Sequence, residues 1–421
     1  DEKPYFYNLE KITIGNFESC SAALQDGIYS DDPDKDWLLT EYRAFRDKMA
    51  NILRMKEKEE SENIDRFYWK DKNTNNLTSN DKRFFELLHK PRKNIWKVYP
   101  NAMQDFKNFK SLMKNGAFFV SQKQGKEQEY QTYFELYQDN SNKFYLNKNK
   151  AKFFIFDATA DIDPDYQRPY VRIKTFPQYN ADLHLNIINL DVNTSKAKLI
   201  NSSNKTESVD IIKAICQTIK EYNQSSVGGM LIVTYQQLAK EMQSKIKSGN
   251  TKIGYFGNLK GTNDFIEIPQ MFHIGLNRYS DFAYFIKYLS QRPEILKKLK
   301  LLSPAASRRY MKDTMRLDKG LFIDPKMNQI MMQSIFADFE QNIFRTAIRD
   351  YNNKQEVCIY TYWNTVMYGK LNQMIEKRYQ PYGAKVKYDG VPLQIQELKT
   401  LKRKSMCKTN PQKIIEWYNS Q

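Results

Sequence analysis

The sequence predicts an α/β protein built on a parallel sheet with helices on both faces, preceded by a mainly helical segment. Three observations lead there. Short apolar runs end abruptly in polar or turn residues at Phe153–Phe156, Met230–Thr234, Met271–Gly275 and Val357–Tyr360, as strands buried on both faces do. Amphipathic helical stretches separate the later runs. At 421 residues the chain exceeds one ordinary core, so two or three domains are expected.

Taken in order, residues 1–30 read as an irregular entry. Trp37, Leu38, Tyr42, Phe45, Met49, Ile52 and Leu53 recur at helical spacing, which predicts a helix over 34–60. The charged stretch Lys56–Asn75 has no apolar period and reads as a solvated helix end or loop. Asp81–His89 reads as another helix. From Gly116 the period changes, and Ala117–Ser121, Tyr130–Tyr137 and Lys143–Leu146 read as strands. The run Phe153–Phe156 follows, ending in Asp157-Ala158-Thr159-Ala160-Asp161. Pro164, Pro169 and Pro177 punctuate a linker. Leu183–Leu190 opens an alternation of strands and helices: a helix over Asp210–Tyr222, strand Met230–Thr234, helix Gln236–Lys247, strands at Ile253–Phe256 and Met271–Gly275. A helical insertion fills about 280–340, a helix runs from about Met327 to Asp350, and strand Val357–Tyr360 and helix Val366–Tyr379 close the pattern. The tail Lys399–Gln421 is basic.

Lys and Arg outnumber Asp and Glu by 66 to 49, giving a net charge of +17, and 28 Tyr and 25 Phe accompany them. Cations for phosphates and rings for bases suit a nucleic-acid binder. A coding bias toward Lys, Asn, Tyr and Ile gives the same composition. Cys20, Cys216, Cys358 and Cys407 are far apart with no Cys-x-x-Cys pair, and His89, His184 and His273 are scattered. No zinc or iron–sulfur cluster and no disulfide scaffold is expected, and a reduced, cytoplasmic setting is. No apolar run approaches a membrane span, so no membrane partner is expected.

Four short stretches could carry chemistry. Asp157 and Thr159 stand just past a buried run, where open parallel sheets bind ligands; a core strand with an Asp-rich turn reads the same way. Gln341, Arg345 and Arg349 are four apart and share a face if helical. Such a face grips phosphate oxygens, or pairs on the surface with Glu340 and Asp350. The loop Gly257–Asp264 brings backbone N–H groups near a phosphate or ribose, or is an ordinary turn. The pair Asp1-Glu2 can hold Mg²⁺ and activate water, or is an exposed acidic pair.

In order, Asp-Glu, Asp-Ala-Thr, a strand ending Thr-Tyr, Gly-Thr-Asn and Gln-x-x-x-Arg-x-x-x-Arg form a set. This set resembles the later motifs of superfamily 2 helicases, in particular the DinG/XPD-like branch and related helicases of phages and mobile elements. The resemblance implies two RecA-like lobes. Residues 1–4 would be the Walker B end of the first lobe and 5–115 a mainly helical insertion. Residues 116–168 would be the remainder of that lobe with motif III, 169–395 the second lobe, and 396–421 a tail. It implies ATP and Mg²⁺ as cofactors and single-stranded DNA or RNA as partner. Asp1 would hold Mg²⁺ and Glu2 would position the attacking water. Gly261, Asn263 and Asp264 would contact the nucleotide. Asp157, Thr159, Thr234 and Thr262 would couple nucleotide to nucleic acid. Gln341, Arg345 and Arg349 would be motif VI, whose arginines are commonly three apart rather than four. No Gly-x-x-x-x-Gly-Lys-Ser/Thr occurs, so a P-loop is expected upstream in the same protein. The expected function is an ATP-dependent helicase or translocase. The alternatives are a non-enzymatic nucleic-acid binder with a degenerate RecA-like fold, and a structural protein of a mobile element.

Overall fold

A computed structural model describes residues 6–28, 32–54, 64–71, 77–90, 98–124, 129–140, 155, 157–168, 171–174, 179–200, 205–225, 228–246, 249–259 and 263–390. Asp1, Glu2, Gly261 and Thr262 lie outside these, as do the expected strand 143–146, the tail, and all of Phe153–Phe156 except Ile155. Ile155 is 41% exposed and belongs to no strand.

A four-stranded antiparallel sheet comes first: β1 (Tyr7–Ile12), β2 (Ile64–Trp69), β3 (Ala117–Gln124) and β4 (Glu129–Asp139), in spatial order β1-β4-β3-β2. Helices α1 (Ile14–Gly27), α2 (Lys35–Arg54), α3 (Ser79–Leu88) and α4 (Ala102–Asn115) cover one face. Strand alternation divides the side chains. Phe67, Phe119 and Phe134 point into the helical layer, whereas Tyr68 and Phe118 join the core of the second half of the chain. The sheet is therefore a shared wall.

This arrangement departs from the sequence reading in three places. Residues 7–27 form a strand and a helix, not an irregular entry. The helix buries Phe17, Cys20, Ala23, Leu24 and Gly27, a helical period carried largely by small residues. The charged stretch contains β2, because its polar groups have partners in the second half. The Arg308 guanidinium donates to both carboxylate oxygens of Asp65 at 2.7 and 3.0 Å, and Arg66 lies over the Phe282 ring. Finally, the boundary expected at 115/116 falls inside one sheet, since β3 and β4 pair with β2 and β1.

The second half is mixed α/β. Its strands are β5 (Asp182–Ile188), β6 (Met230–Thr234), β7 (Thr251–Tyr255), β8 (Gln270–Ile274), β11 (Glu356–Tyr362) and β12 (Lys385–Asp389). They form a six-stranded, all-parallel sheet in the order β12-β5-β11-β8-β6-β7. The numbers β9 (Leu317–Asp318) and β10 (Leu321–Phe322) belong to a small hairpin. Helices α5 (Lys196–Ile200), α6 (Lys205–Ser225) and α7 (Gln236–Lys245) lie on one face, against Met230, Ile232, Phe272 and Tyr360. The other face, with Leu231, Val233, Met271 and Ile359, meets α8 (Asp281–Gln291), α11 (Pro325–Ile343) and α12 (Gly369–Tyr379). Between α8 and α11, α9 (Pro293–Leu301) and α10 (Pro304–Thr314) fill out the expected helical insertion. Helix α10 covers the edge of β2, where Ser307 Oγ accepts the Tyr68 N–H at 2.8 Å; a covered edge cannot recruit a foreign strand. No helix among the described residues is long and apolar enough to cross a membrane.

The segment 157–168 is fastened to the second half. Lys287 pairs with Asp165 at 2.5 Å, Gln291 donates to the Pro164 carbonyl at 2.6 Å, and Arg168 donates to the Ser290 carbonyl at 3.3 Å. It thus packs on α8, not inside the first sheet.

Candidate functional site

The chain leaves β6 into α7 on one face and leaves the neighbouring β8 into α8 on the other. Open parallel sheets form a crevice at such a switch point, beyond the carboxyl ends of the strands. A cavity of about 650 Å³ opens there. Its walls come from Asn193–Ala197 after β5, Tyr235 and Gln236 after β6, Tyr255 and Phe256 at the end of β7, and Leu276–Tyr279 after β8. Asn364, Met367 and Tyr368 after β11 complete it, with the hairpin tip Lys319-Gly320.

Tyr235 ties these loops together. Its hydroxyl lies 3.2 Å from the Thr194 carbonyl and 3.1 Å from the Leu276 carbonyl, and accepts the Leu276 N–H at 3.3 Å. Burial pushes this phenol up to about 12, so it stays protonated. Gly275, at φ 83°, lies flat against the Tyr235 ring, and a Cβ there would come within 2.7 Å of it. Tyr235→Phe is expected to cost about 1–2 kcal/mol in urea unfolding, because it leaves buried loop groups unpaired.

The lining holds three cations (Lys196, Arg278 and Lys319), five aromatic rings and no carboxylate. Arg278 is already engaged, by the Gly320 carbonyl at 2.5 Å and by Asp281 at 2.9 Å. Lys196 and Lys319 are exposed and form no ion pair among the described residues. Lys319 (φ 47°) and Gly320 (φ 84°) are the two left-handed residues of the hairpin turn, a pairing typical of tight hairpins but rare for lysine. The backbone there holds the Lys319 side chain on the cavity rim.

The residues singled out in the sequence fall into three places. Thr234 is at the carboxyl end of β6, fully buried, with its hydroxyl donating to the Ile274 carbonyl at 3.0 Å. It cannot touch a strand of nucleic acid; it locks β6 to β8 beneath the cavity. Asp157, Thr159 and Gln341 form a second group. Asp157 Oδ1 accepts the Thr159 N–H and hydroxyl at 2.8 and 2.7 Å, and Gln341 Nε2 donates to Thr159 Oγ1 at 3.3 Å. The third group lies toward the amino ends of the strands. Arg349 donates to Asn263 Oδ1, and Lys252 Nζ reaches the backbone carbonyl of Asp264 at 2.7 Å. Arg345 is close enough to Arg349 that burial, together with that second charge, holds its guanidinium below the ordinary range.

Gln341, Arg345 and Arg349 do not share a helical face. Helix α11 stops at Ile343, where the Ile343 carbonyl takes the Thr346 N–H and hydroxyl at 3.1 and 2.7 Å, and Ala347 N–H bonds to Ile268 instead. The turn sends Gln341 toward Thr159 and Arg349 toward Asn263. The cavity itself was not read from the sequence. The available signal was the set of polar loops following each apolar strand, Asn193-Thr194-Ser195-Lys196 and Asn277-Arg278 among them. A scan of protein-family models and a search of curated proteins both find no match to this chain.

Proposed function

We propose that the chain forms the RecA-like second lobe of an ATP-driven translocase on single-stranded nucleic acid, with the strand lying in the carboxyl-end crevice. One observation carries the reading: a cavity with two available lysines and five rings but no acidic lining residue. Phosphates are met by Lys196 and Lys319, and bases stack on rings such as Tyr255, Phe256 and Tyr279. The amides of Asn193, Asn277 and Asn364 are placed to hydrogen-bond base edges or ribose.

The nucleotide half-site belongs at the opposite edge, on Arg345, Arg349 and Asn263. The charge of Arg349 bears on Arg345, and an anion nearby would relieve that repulsion, so this group fits the phosphates of a nucleoside triphosphate. ATP with Mg²⁺ would supply phosphoryl-transfer energy there, and Asp1 and Glu2, expected to serve the ion and the water, lie outside the described residues. The Gln341–Thr159–Asp157 chain supports a coupling role for the segment joining the two halves.

Fluorescence anisotropy with labelled oligonucleotides tests the reading. Lys196→Ala and Lys319→Ala should each lower the salt slope of binding by about 0.7, the share of one phosphate on a single strand. Tyr279→Ala should cost about 1–3 kcal/mol of affinity. Unchanged affinity and slope in all three variants would remove the strand from this crevice.

A further inference from the structure

We propose that His184, Glu356 and Cys358 bind a single transition-metal ion, best matched by Zn²⁺, at the amino edge of the parallel sheet. The register assembles the site. His184 on β5 stands opposite Cys358 on β11, and Asp182 stands opposite Glu356 one step earlier on the same face; Lys385 on β12 flanks His184. In-register residues of neighbouring strands bring their side chains together. The three candidate donor atoms all lie within 4.8 Å of one another. Glu356 Oε1 is 2.9 Å from Cys358 Sγ and 3.8 Å from His184 Nδ1. Ligands around a tetrahedral zinc ion sit roughly 3.3–3.8 Å apart, given bonds of about 2.0–2.3 Å. Small rotations of exposed Glu356 bring its carboxylate into that range.

The donor set suits the ion. One thiolate, one imidazole and one carboxylate, with water in a fourth position, form a mixed set that favours zinc over calcium or magnesium. Charge balances: the thiolate and Glu356 offset the two positive charges of the ion. Asp182 and Lys385, 2.9 Å apart, already neutralise each other. His184 Nε2 lies 3.2 Å from Asp182 Oδ2 and 3.1 Å from Lys385 Nζ; in the tautomer with Nε2 protonated it donates to Asp182, the usual outer-shell role of a carboxylate, and Nδ1 is left for the ion. The Cys358 thiol lies 2.9 Å from Glu356 Oε1; ion binding releases its proton to solvent as the sulfur lone pair joins the metal. A mixed site of this kind needs only one thiolate. The ion would pin the start of β11 to β5 and brace the loop Asp350–Gln355, which is also held by Asn180 to the Tyr351 carbonyl at 2.8 Å.

Co²⁺ titration of the whole chain reads the site directly. One equivalent should produce a near-ultraviolet sulfur-to-cobalt band that Zn²⁺ erases. Cys358→Ser should abolish the band, while Cys216→Ser, which changes a buried thiol elsewhere, keeps it. His184→Ala and the surface change Glu356→Gln should each weaken binding by about tenfold or more, and Asp182→Asn by roughly tenfold. Absence of the band overturns the site, as does its survival in Cys358→Ser. If Cys358→Ser fails to fold, wild-type affinity in Glu356→Gln overturns it instead.

Discussion

Replacing Arg378 with Met is expected to destabilise the fold by about 3–5 kcal/mol, the cost of stranding a buried charge. The stranded group is Glu340 on α11, which is fully buried. Arg378 on α12 meets it with two hydrogen bonds, at 2.9 and 3.2 Å, and also pairs with Asp161 and reaches the Ala158 carbonyl at 3.5 Å. Burial opposes the Arg378 charge, but the two carboxylates outweigh it and hold the guanidinium above its ordinary value. Burial keeps the Glu340 carboxyl above the usual carboxylate range even with this partner. The sign of the pH dependence follows. Between the unfolded and the raised folded pKa, the native state keeps a proton that the unfolded state has lost, so stability falls as pH rises through that window. Arg378→Met removes the group that opposes the rise, so its window is wider. Its deficit should be largest near neutral pH and shrink in acid, where Glu340 is protonated in both proteins. Adding Glu340→Leu should recover most of the loss, because an apolar pair of similar volume needs no compensation. Urea unfolding from pH 4 to 8 measures all three; a pH-independent deficit would place the loss in packing alone.

Arg349→Ala is expected to lower nucleic-acid-stimulated ATP turnover by roughly a thousandfold, the lower end of what an arginine finger supplies. Arg349 is the better candidate because it is exposed and oriented by Asn263, whereas Arg345 is half-buried and built into the turn after α11. Arg349→Lys should not restore the rate, since an ammonium cannot match the planar fork. The measurement is kcat on the complete gene product at saturating strand. Unchanged turnover would take the phosphate role from Arg349 without affecting strand binding at the opposite edge.

The parallel sheet was legible because strands buried on both faces must be apolar throughout. Met230–Thr234 and Val357–Tyr360 could be little else. The first sheet was less legible: β2 carries Asp65 and Arg66, whose partners Arg308 and Phe282 lie more than 200 residues away in sequence. No local pattern encodes such pairing. The spatial grouping of the residues singled out in the sequence was not legible. Gln341, Arg345 and Arg349 share a helical period, yet the Thr346 hydroxyl and the Ala347–Ile268 bond end the helix between them. Sequence spacing cannot register that competition.

The order in which strands are made differs sharply from the order in which they pair. β1 waits for β4, with Tyr7 opposite Asp139, a delay on the order of ten seconds at ordinary rates of synthesis. β5 waits longer, because among the described residues its sheet neighbours are β11 and β12, both far later in the chain. Until they emerge, the apolar residues Leu183, Leu185 and Ile187 have no strand on either side. Closing gaps this wide in sequence carries a large entropic cost before any contact rewards it. The nascent chain thus carries an unpaired hydrophobic strand from the making of β5 until β11 emerges, and its yield in the cell depends on what shields that strand meanwhile.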